Sequence, residues 1–171
     1  MKLEFTCVDE ALVRRAAELM SLLHKRKLTI VTAESCTGGL IASVLSEAPG
    51  AGDCLQGGFV VYTEEHKQTA LGVPKDMLDR YGAVSAQVAA AMAEGALARS
   101  PADIAVSLTG VAGPEPDDGG NPVGLMLFGC ARRGYGTTVV EKNLGNGDRG
   151  ALRYKAAEIA IDLVAGAARD P

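Results

Sequence analysis

Residues 28–39 read Leu28-Thr29-Ile30-Val31-Thr32-Ala33-Glu34-Ser35-Cys36-Thr37-Gly38-Gly39, and their order decides the fold. Residues 28–32 are apolar and β-branched, which predicts a short buried strand. Polar residues and a Gly pair then break the pattern, and residues 40–46, L-I-A-S-V-L-S, return to helical spacing. A strand that runs through a Gly-rich turn into a helix is the beginning of a layered α/β arrangement.

The alternation continues on both sides. Upstream, Leu12, Ala16, Leu19 and Leu23 recur at three- and four-residue steps, which predicts an amphipathic helix over residues 9–27. Asp9 suits its N-cap, and Lys25, Arg26 and Lys27 suit its negative end. Downstream, residues 57–63 (G-G-F-V-V-Y-T) read as a second strand and residues 64–71 as a helix. Pro74 suits the first turn of another short helix and Gly82 its C-cap. Ser85 suits the N-cap of an Ala-rich helix over 86–98, and a third strand follows at 103–109. Residues 110–120 are too rich in Gly, Pro and Asp for regular structure. Residues 123–131 and 137–144 predict an antiparallel hairpin, and a final helix spans about 149–167. The expected fold is a three-layer α/β/α sandwich with a mixed sheet. It forms one domain over residues 1–171, with 1–8 as an irregular leading segment.

Composition bounds the function. The chain has 171 residues, enough for a core that needs neither disulfide nor structural metal. Aromatics are 4% and Trp is absent, so Ala, Val and Leu must fill that core. The net charge of -4, with no dense basic run, argues against a nucleic-acid surface. Cys7, Cys36, Cys54 and Cys130 include no C-x-x-C pair, so no zinc site is expected, and their long spacings favour free thiols. No apolar run approaches the ~20 residues of a membrane span, and no signal core opens the chain. A cytoplasmic location is expected.

In α/β sheets, ligands bind beyond the carboxyl ends of strands. Three loops hold that position: 34–39, 110–120 and 145–149. Ser35 sits where a helix start offers free N–H groups to an oxyanion or phosphate, and Gly38 and Gly39 would let a ligand approach. Spacing alone leaves Ser35 or Thr37 equally readable as a helix cap. A nucleophilic serine needs a base. His24 reads as a surface residue, while His66 lies nearer the site. Lys67 can serve if burial lowers its pKa, and Tyr62 ends the same strand. Cys36 is a rival nucleophile or a small core residue, and Glu34 a base, a cation partner or a helix-start charge. Arg149, in the first turn of the last helix after the cap-like Asp148, opposes the helix dipole, which points to an anion partner or a salt bridge. Neither a Walker loop nor a dinucleotide fingerprint is present, so a dehydrogenase built on Tyr62 and Lys67 has little support.

Several ordered segments together resemble one family: T-A-E-S-C-T-G-G from Thr32, G-G-F-V-V-Y from Gly57, G-A-V-S from Gly82, L-T-G-V-A-G-P from Leu108, P-V-G from Pro122 and G-D-R from Gly147. They are similar to the C-terminal domain of the competence/damage-inducible protein CinA, whose stand-alone members include nicotinamide-nucleotide amidases. The resemblance spans roughly residues 28–167. It implies hydrolysis of the carboxamide of nicotinamide mononucleotide (NMN) to nicotinic acid mononucleotide and ammonia, without metal or cofactor. It implies a homo-oligomer, a dimer first, with a small nucleotide as partner rather than nucleic acid or membrane. It assigns a Ser-Lys mechanism to Ser35 and Lys67 with Tyr62 orienting or relaying. It assigns substrate binding to Glu34, Cys36, Thr37, Gly38, Gly39, Thr109, Gly110, Gly113 and Arg149, with N–H groups of 36–39 as the oxyanion site. The chain departs from the family where Asn121 replaces a frequent Lys, where residues 115–120 are acidic, and where Gly145 and Asn146 replace an aromatic before G-D-R. These departures keep a second expectation open, a nucleotide-binding or protein-interaction module without catalysis.

Overall fold

The computed structural model describes residues 9–169; the segment 1–8, with Cys7, lies outside them. The elements in chain order are α1 (Glu10–Arg26), β1 (Ile30–Glu34), α2 (Leu40–Glu47), α3 (Ala51–Cys54) and β2 (Leu55–Val60). Then come α4 (Glu64–Leu71), α5 (Lys75–Tyr81), α6 (Ala86–Ala98), β3 (Ile104–Gly110), β4 (Leu125–Arg132), β5 (Gly136–Asn143) and α7 (Arg149–Arg169).

The five strands order β2-β1-β3-β4-β5. β1 pairs parallel with β2 and with β3, while β3–β4 and β4–β5 are antiparallel. The sheet is therefore mixed, as the sequence predicts. Side chains alternate across it. Ile30, Ile104, Val106 and Leu108 meet α1, α2 and α7 on one face, and Val31, Ala33 and Ala105 meet α4, α5 and α6 on the other. Each fully buried Leu, Ile or Val side chain in these two layers contributes about 1.5–3 kcal/mol.

The boundaries differ from the sequence reading for local reasons. β1 starts at Ile30 rather than Leu28 because Leu28 N–H closes the end of α1 on the Leu23 carbonyl. Thr29 is held instead by the Asp103 carboxylate, at 2.8 Å from its N–H and 2.9 Å from its hydroxyl. β1 then runs on to Glu34. β2 begins and ends earlier than expected, preceded by the short α3. Pro74 is the N-cap of α5 rather than its first residue. The caps at Asp9 and Ser85, and Gly82 at the end of α5, fall where the sequence places them.

Two features of this frame position the site. β1 exits toward α2 on one face, whereas β2 exits toward α4 on the opposite face, which opens a crevice at the carboxyl ends of the two adjacent strands. Gly95 lets α4 sit hard against α6, since a Cβ there would lie 2.1 Å from the Leu71 carbonyl oxygen.

Candidate active site

Ser35 follows β1 directly and extends its ladder, its N–H donating to the Leu108 carbonyl at 3.0 Å. The strand alternation that sends Glu34 toward α2 sends Ser35 toward α4. On α4, Thr63 caps the first turn through the His66 N–H, and Lys67 and Leu71, four residues apart, form the buried stripe. Lys67 is 1% exposed although it carries an amine.

The Lys67 Nζ has three neighbours: Ser35 Oγ at 3.1 Å, the Val61 carbonyl at 2.9 Å and the Tyr62 carbonyl at 3.4 Å. Two of these can only accept. A neutral amine has two N–H bonds and one lone pair. Donating both N–H bonds to the carbonyls leaves the lone pair for the Ser35 hydroxyl proton. Burial lowers the Lys67 pKa below 10.5, the ordinary value, and so favours the neutral form. A candidate nucleophile and a candidate base thus stand within hydrogen-bond reach, the amine held by further contacts.

Cys36, beside Ser35, is chemically different. Burial pushes its thiol up to about 11, despite the nearby charges of Arg149, Arg153 and Lys67. It stays protonated near neutrality, with Sγ 3.8 Å from Met126 Sδ, so Ser35 is the better nucleophile of the two. His24 and His66 are exposed, and neither is paired with Ser35.

A cleft of about 350 Å3 opens over this pair, lined by Ser35, Cys36, Tyr62, Glu64, Lys67, Thr109, Gly110 and the loop residues Asp117, Asp118 and Asn121, among others. Three acidic residues line it, and a guanidinium lies against its Tyr62. Glu64, Asp117 and Asp118 are acidic. On the α7 side, Arg149 Nη2 donates to the exposed Tyr62 hydroxyl at 2.9 Å, and Arg149 Nη1 donates to the Gly113 carbonyl. Among the described residues neither Arg149 nor Arg153 has an ion-pair partner. No group of three His, Cys, Asp or Glu side chains that could hold a metal ion is found there. A larger cavity, about 410 Å3, lies between the β4–β5 hairpin and the far end of α7, but no nucleophile–base pair lines it.

Residues 13–167 match the CinA C-terminal domain family. The chain belongs to that family. A CinA-like protein of Chlorobium phaeobacteroides is 44% identical over 147 residues, covering 84% of this chain and 35% of its own length. A CinA-like protein of Akkermansia muciniphila is 45% identical over 139 residues, 81% of this chain and 33% of its own length. The chain therefore spans about a third of the curated relatives it matches. Among solved structures, the competence/damage inducible protein CihA from Agrobacterium tumefaciens superposes with a TM-score of 0.90 at 35% identity, covering 95% of this chain and 98% of that one. A CinA superfamily protein from Escherichia coli gives 0.86 at 32% identity, covering 92% of each chain.

Within this CinA domain, several residues expected at the substrate have other work. Neither Ser35 nor Thr37 caps α2. Its N-cap is Gly39, in the left-handed region at φ 93°, next to Gly38 at φ 61°, so the Gly pair answers a backbone need. The cap hydrogen bonds come instead from Glu34, which is 0% exposed. Its carboxylate accepts from the N–H groups of Gly39 (3.1 Å), Ile41 (3.0 Å) and Ala42 (2.8 Å) and from the Thr32 hydroxyl (3.1 Å). An anion already fills the start of α2, and the Gly38 N–H is taken by the Ser35 carbonyl. The oxyanion donors expected over 36–39 thus reduce to Cys36 and Thr37. Their N–H groups have no acceptor among the described residues apart from Cys36's own sulfur.

Thr37 is buried and does not line the cleft. Thr109 does line it, but its hydroxyl donates to the Ala83 carbonyl at 2.8 Å and holds the 82–85 loop. Gly110 permits the close β3–β4 approach, where a Cβ would lie 2.6 Å from the Leu125 carbonyl oxygen. Gly113 serves Arg149 rather than the cleft. Tyr62 meets Lys67 through its backbone carbonyl, while its phenol meets Arg149. Sequence reasoning missed Arg153, whose Nη2 donates to the Thr37 carbonyl. Its spacing of four from Arg149 was the available signal.

Proposed function

We propose that this CinA-family domain is a metal-independent amidohydrolase that removes the carboxamide nitrogen of nicotinamide mononucleotide. The observation that carries the reading is the three-way environment of Lys67 Nζ, two carbonyls and one serine hydroxyl, at a buried position. Neutral Lys67 accepts the Ser35 proton as Oγ bonds to the amide carbon. The oxyanion is held by the Cys36 N–H group, a donor that contributes about 3 kcal/mol. Protonated Lys67 then gives its proton to the amide nitrogen, and ammonia leaves an ester on Ser35. Water attacks that ester, Lys67 takes the water proton, and Oγ departs with it as nicotinic acid mononucleotide forms.

Charge supports the choice of substrate. NMN is a zwitterion, with a cationic pyridinium and an anionic phosphate. Acidic groups at Glu64, Asp117 and Asp118 suit the ring, and Arg149, bonded to the lining residue Tyr62, suits the phosphate. Tyr62, 57% exposed, offers an aromatic face. The acidic 115–120 loop and Asn121, the family departures, fall on the ring side of this arrangement.

The test is ammonia release from NMN by the purified protein. Ser35→Ala and Lys67→Ala should each lower kcat by about 10^4 or more. Full activity in Ser35→Ala removes the nucleophile assignment, and tight NMN binding without turnover in the wild type favours the binding module.

A further inference from the structure

Arg153 lies one helical turn beyond Arg149 and reaches a different target. Its guanidinium donates to the Thr37 carbonyl, which also accepts from Leu40 N–H at 3.2 Å. The peptide bearing that carbonyl has the Gly38 N–H at its other end. That N–H donates to the Ser35 carbonyl at 2.9 Å. The peptide bearing the Ser35 carbonyl has the Cys36 N–H at its other end, and this group has no carbonyl or carboxylate partner among the described residues. The result is an unbroken series: guanidinium, Thr37–Gly38 peptide, Ser35–Cys36 peptide, open N–H. Hydrogen bonds in series polarise one another, so a cation at one end strengthens the donor at the other.

The surroundings of Arg153 fit such a role. Its Nε is buried without a partner, as is the Thr37 hydroxyl, so the contact is kept although neighbouring polar atoms go unsatisfied. No carboxylate neutralises Arg153 among the described residues. Its charge reaches the nucleophile turn, where it favours the thiolate of Cys36. It does not line the cleft, and its guanidinium is engaged by the Thr37 carbonyl.

We propose that Arg153 is a positioning residue for the oxyanion site: through the Thr37 carbonyl it holds and polarises the peptides that aim the Cys36 N–H at the oxygen of the group attacked by Ser35. The inference rests on the proposed role of Ser35, and not on which amide is cleaved.

An uncharged fluorophosphonate ester separates the two questions. Ser35 Oγ bonds to its phosphorus, fluoride leaves, Lys67 takes the hydroxyl proton, and the phosphoryl oxygen occupies the oxyanion position. Labelling of Ser35 is followed by mass spectrometry, beside NMN kinetics and thermal melting. Arg153→Gln should slow labelling about 100-fold, and lower kcat for NMN by a similar factor with KM within about threefold. Arg153→Lys, which keeps charge and a donor, should recover at least about tenfold of the labelling rate. An unchanged labelling rate in Arg153→Gln overturns the proposal. So does a loss seen only with NMN, which would make Arg153 a contact to the substrate anion, or a loss that tracks melting and is not recovered by Lys. Should the Gln variant fail to fold, Arg153→Met keeps the apolar stem and is judged on the same rates. A wild type that is labelled at Ser35 but releases no ammonia from NMN removes the amidase reading alone.

Discussion

Two helix starts border Ser35, and they solve the same electrostatic problem in opposite ways. α2 begins in the Gly-rich turn and presents free N–H groups, the usual place for an anion. Its anion is internal: the buried Glu34 carboxylate takes three of its N–H groups. α7 is capped by Asp148, which accepts from the Gly150 N–H at 2.8 Å and the Ala151 N–H at 3.2 Å. It then places Arg149 and Arg153 in its first turns, against the helix dipole, and among the described residues neither forms an ion pair. A helix N-terminus is a ligand site only when the fold leaves it unsatisfied. Here the start that looks ready for a ligand is closed, and the one that looks electrostatically wrong carries the positive charge near the nucleophile.

The largest test of this contrast is Glu34→Ala. It strips three N–H groups and the Thr32 hydroxyl of their buried acceptor and should cost about 3–5 kcal/mol. For a chain this size that is a fall in Tm of roughly 10 °C, read by calorimetry. A variant that melts like the wild type and gains phosphate affinity would show that α2 is an open anion site after all.

Next is the pH profile. The contrast assigns the fixed positive charge near Ser35 to α7, and the proposed mechanism makes Lys67 a neutral base. Activity should rise about tenfold per pH unit up to the lowered Lys67 pKa, below 10.5, and then level off. Stability has the matching sign. Between the folded pKa and 10.5 only the unfolded chain holds the Lys67 proton, so raising pH favours the native state. The stability of the wild type relative to Lys67→Met should therefore increase across that window and stay level below it. A flat or falling activity profile would contradict the neutral base.

Arg149→Leu comes third. It should raise the KM for NMN about five- to tenfold, leave kcat within about threefold, and remove much of the salt dependence of binding. Smallest is Asp148→Ala, which loses the α7 cap. It should cost about 1 kcal/mol and raise KM less than Arg149→Leu, because Arg149 keeps its bonds to Gly113 and Tyr62. If the two KM effects were equal, the cap rather than the guanidinium would be the active element.

The sequence by itself determined the layers. The apolar periods of α1, the β-branched runs of β1 and β3, and the caps at Asp9, Ser85 and Gly82 are local, so the elements other than the short α3, and the mixed sheet, were legible. It also placed Ser35 in the turn after the first strand, Tyr62 near the end of the second, Lys67 on the helix that follows and Arg149 in the first turn of the last helix. Local pattern could not say whether Lys67 is solvated, because its burial depends on α4 closing over the crevice between β1 and β2 and on Gly95 letting α4 pack against α6. Nor could it assign Glu34, whose backbone N–H partners lie five to eight residues on across a turn that sequence reads as a ligand cradle. Arg153 and Thr37 are 116 residues apart. Only the docking of α7 onto that face of the sheet brings the guanidinium to the turn after Ser35. Periodicity reports which face of an element is apolar. Which polar groups meet is fixed by how those faces pack, and the chemistry of this cleft is made of such meetings.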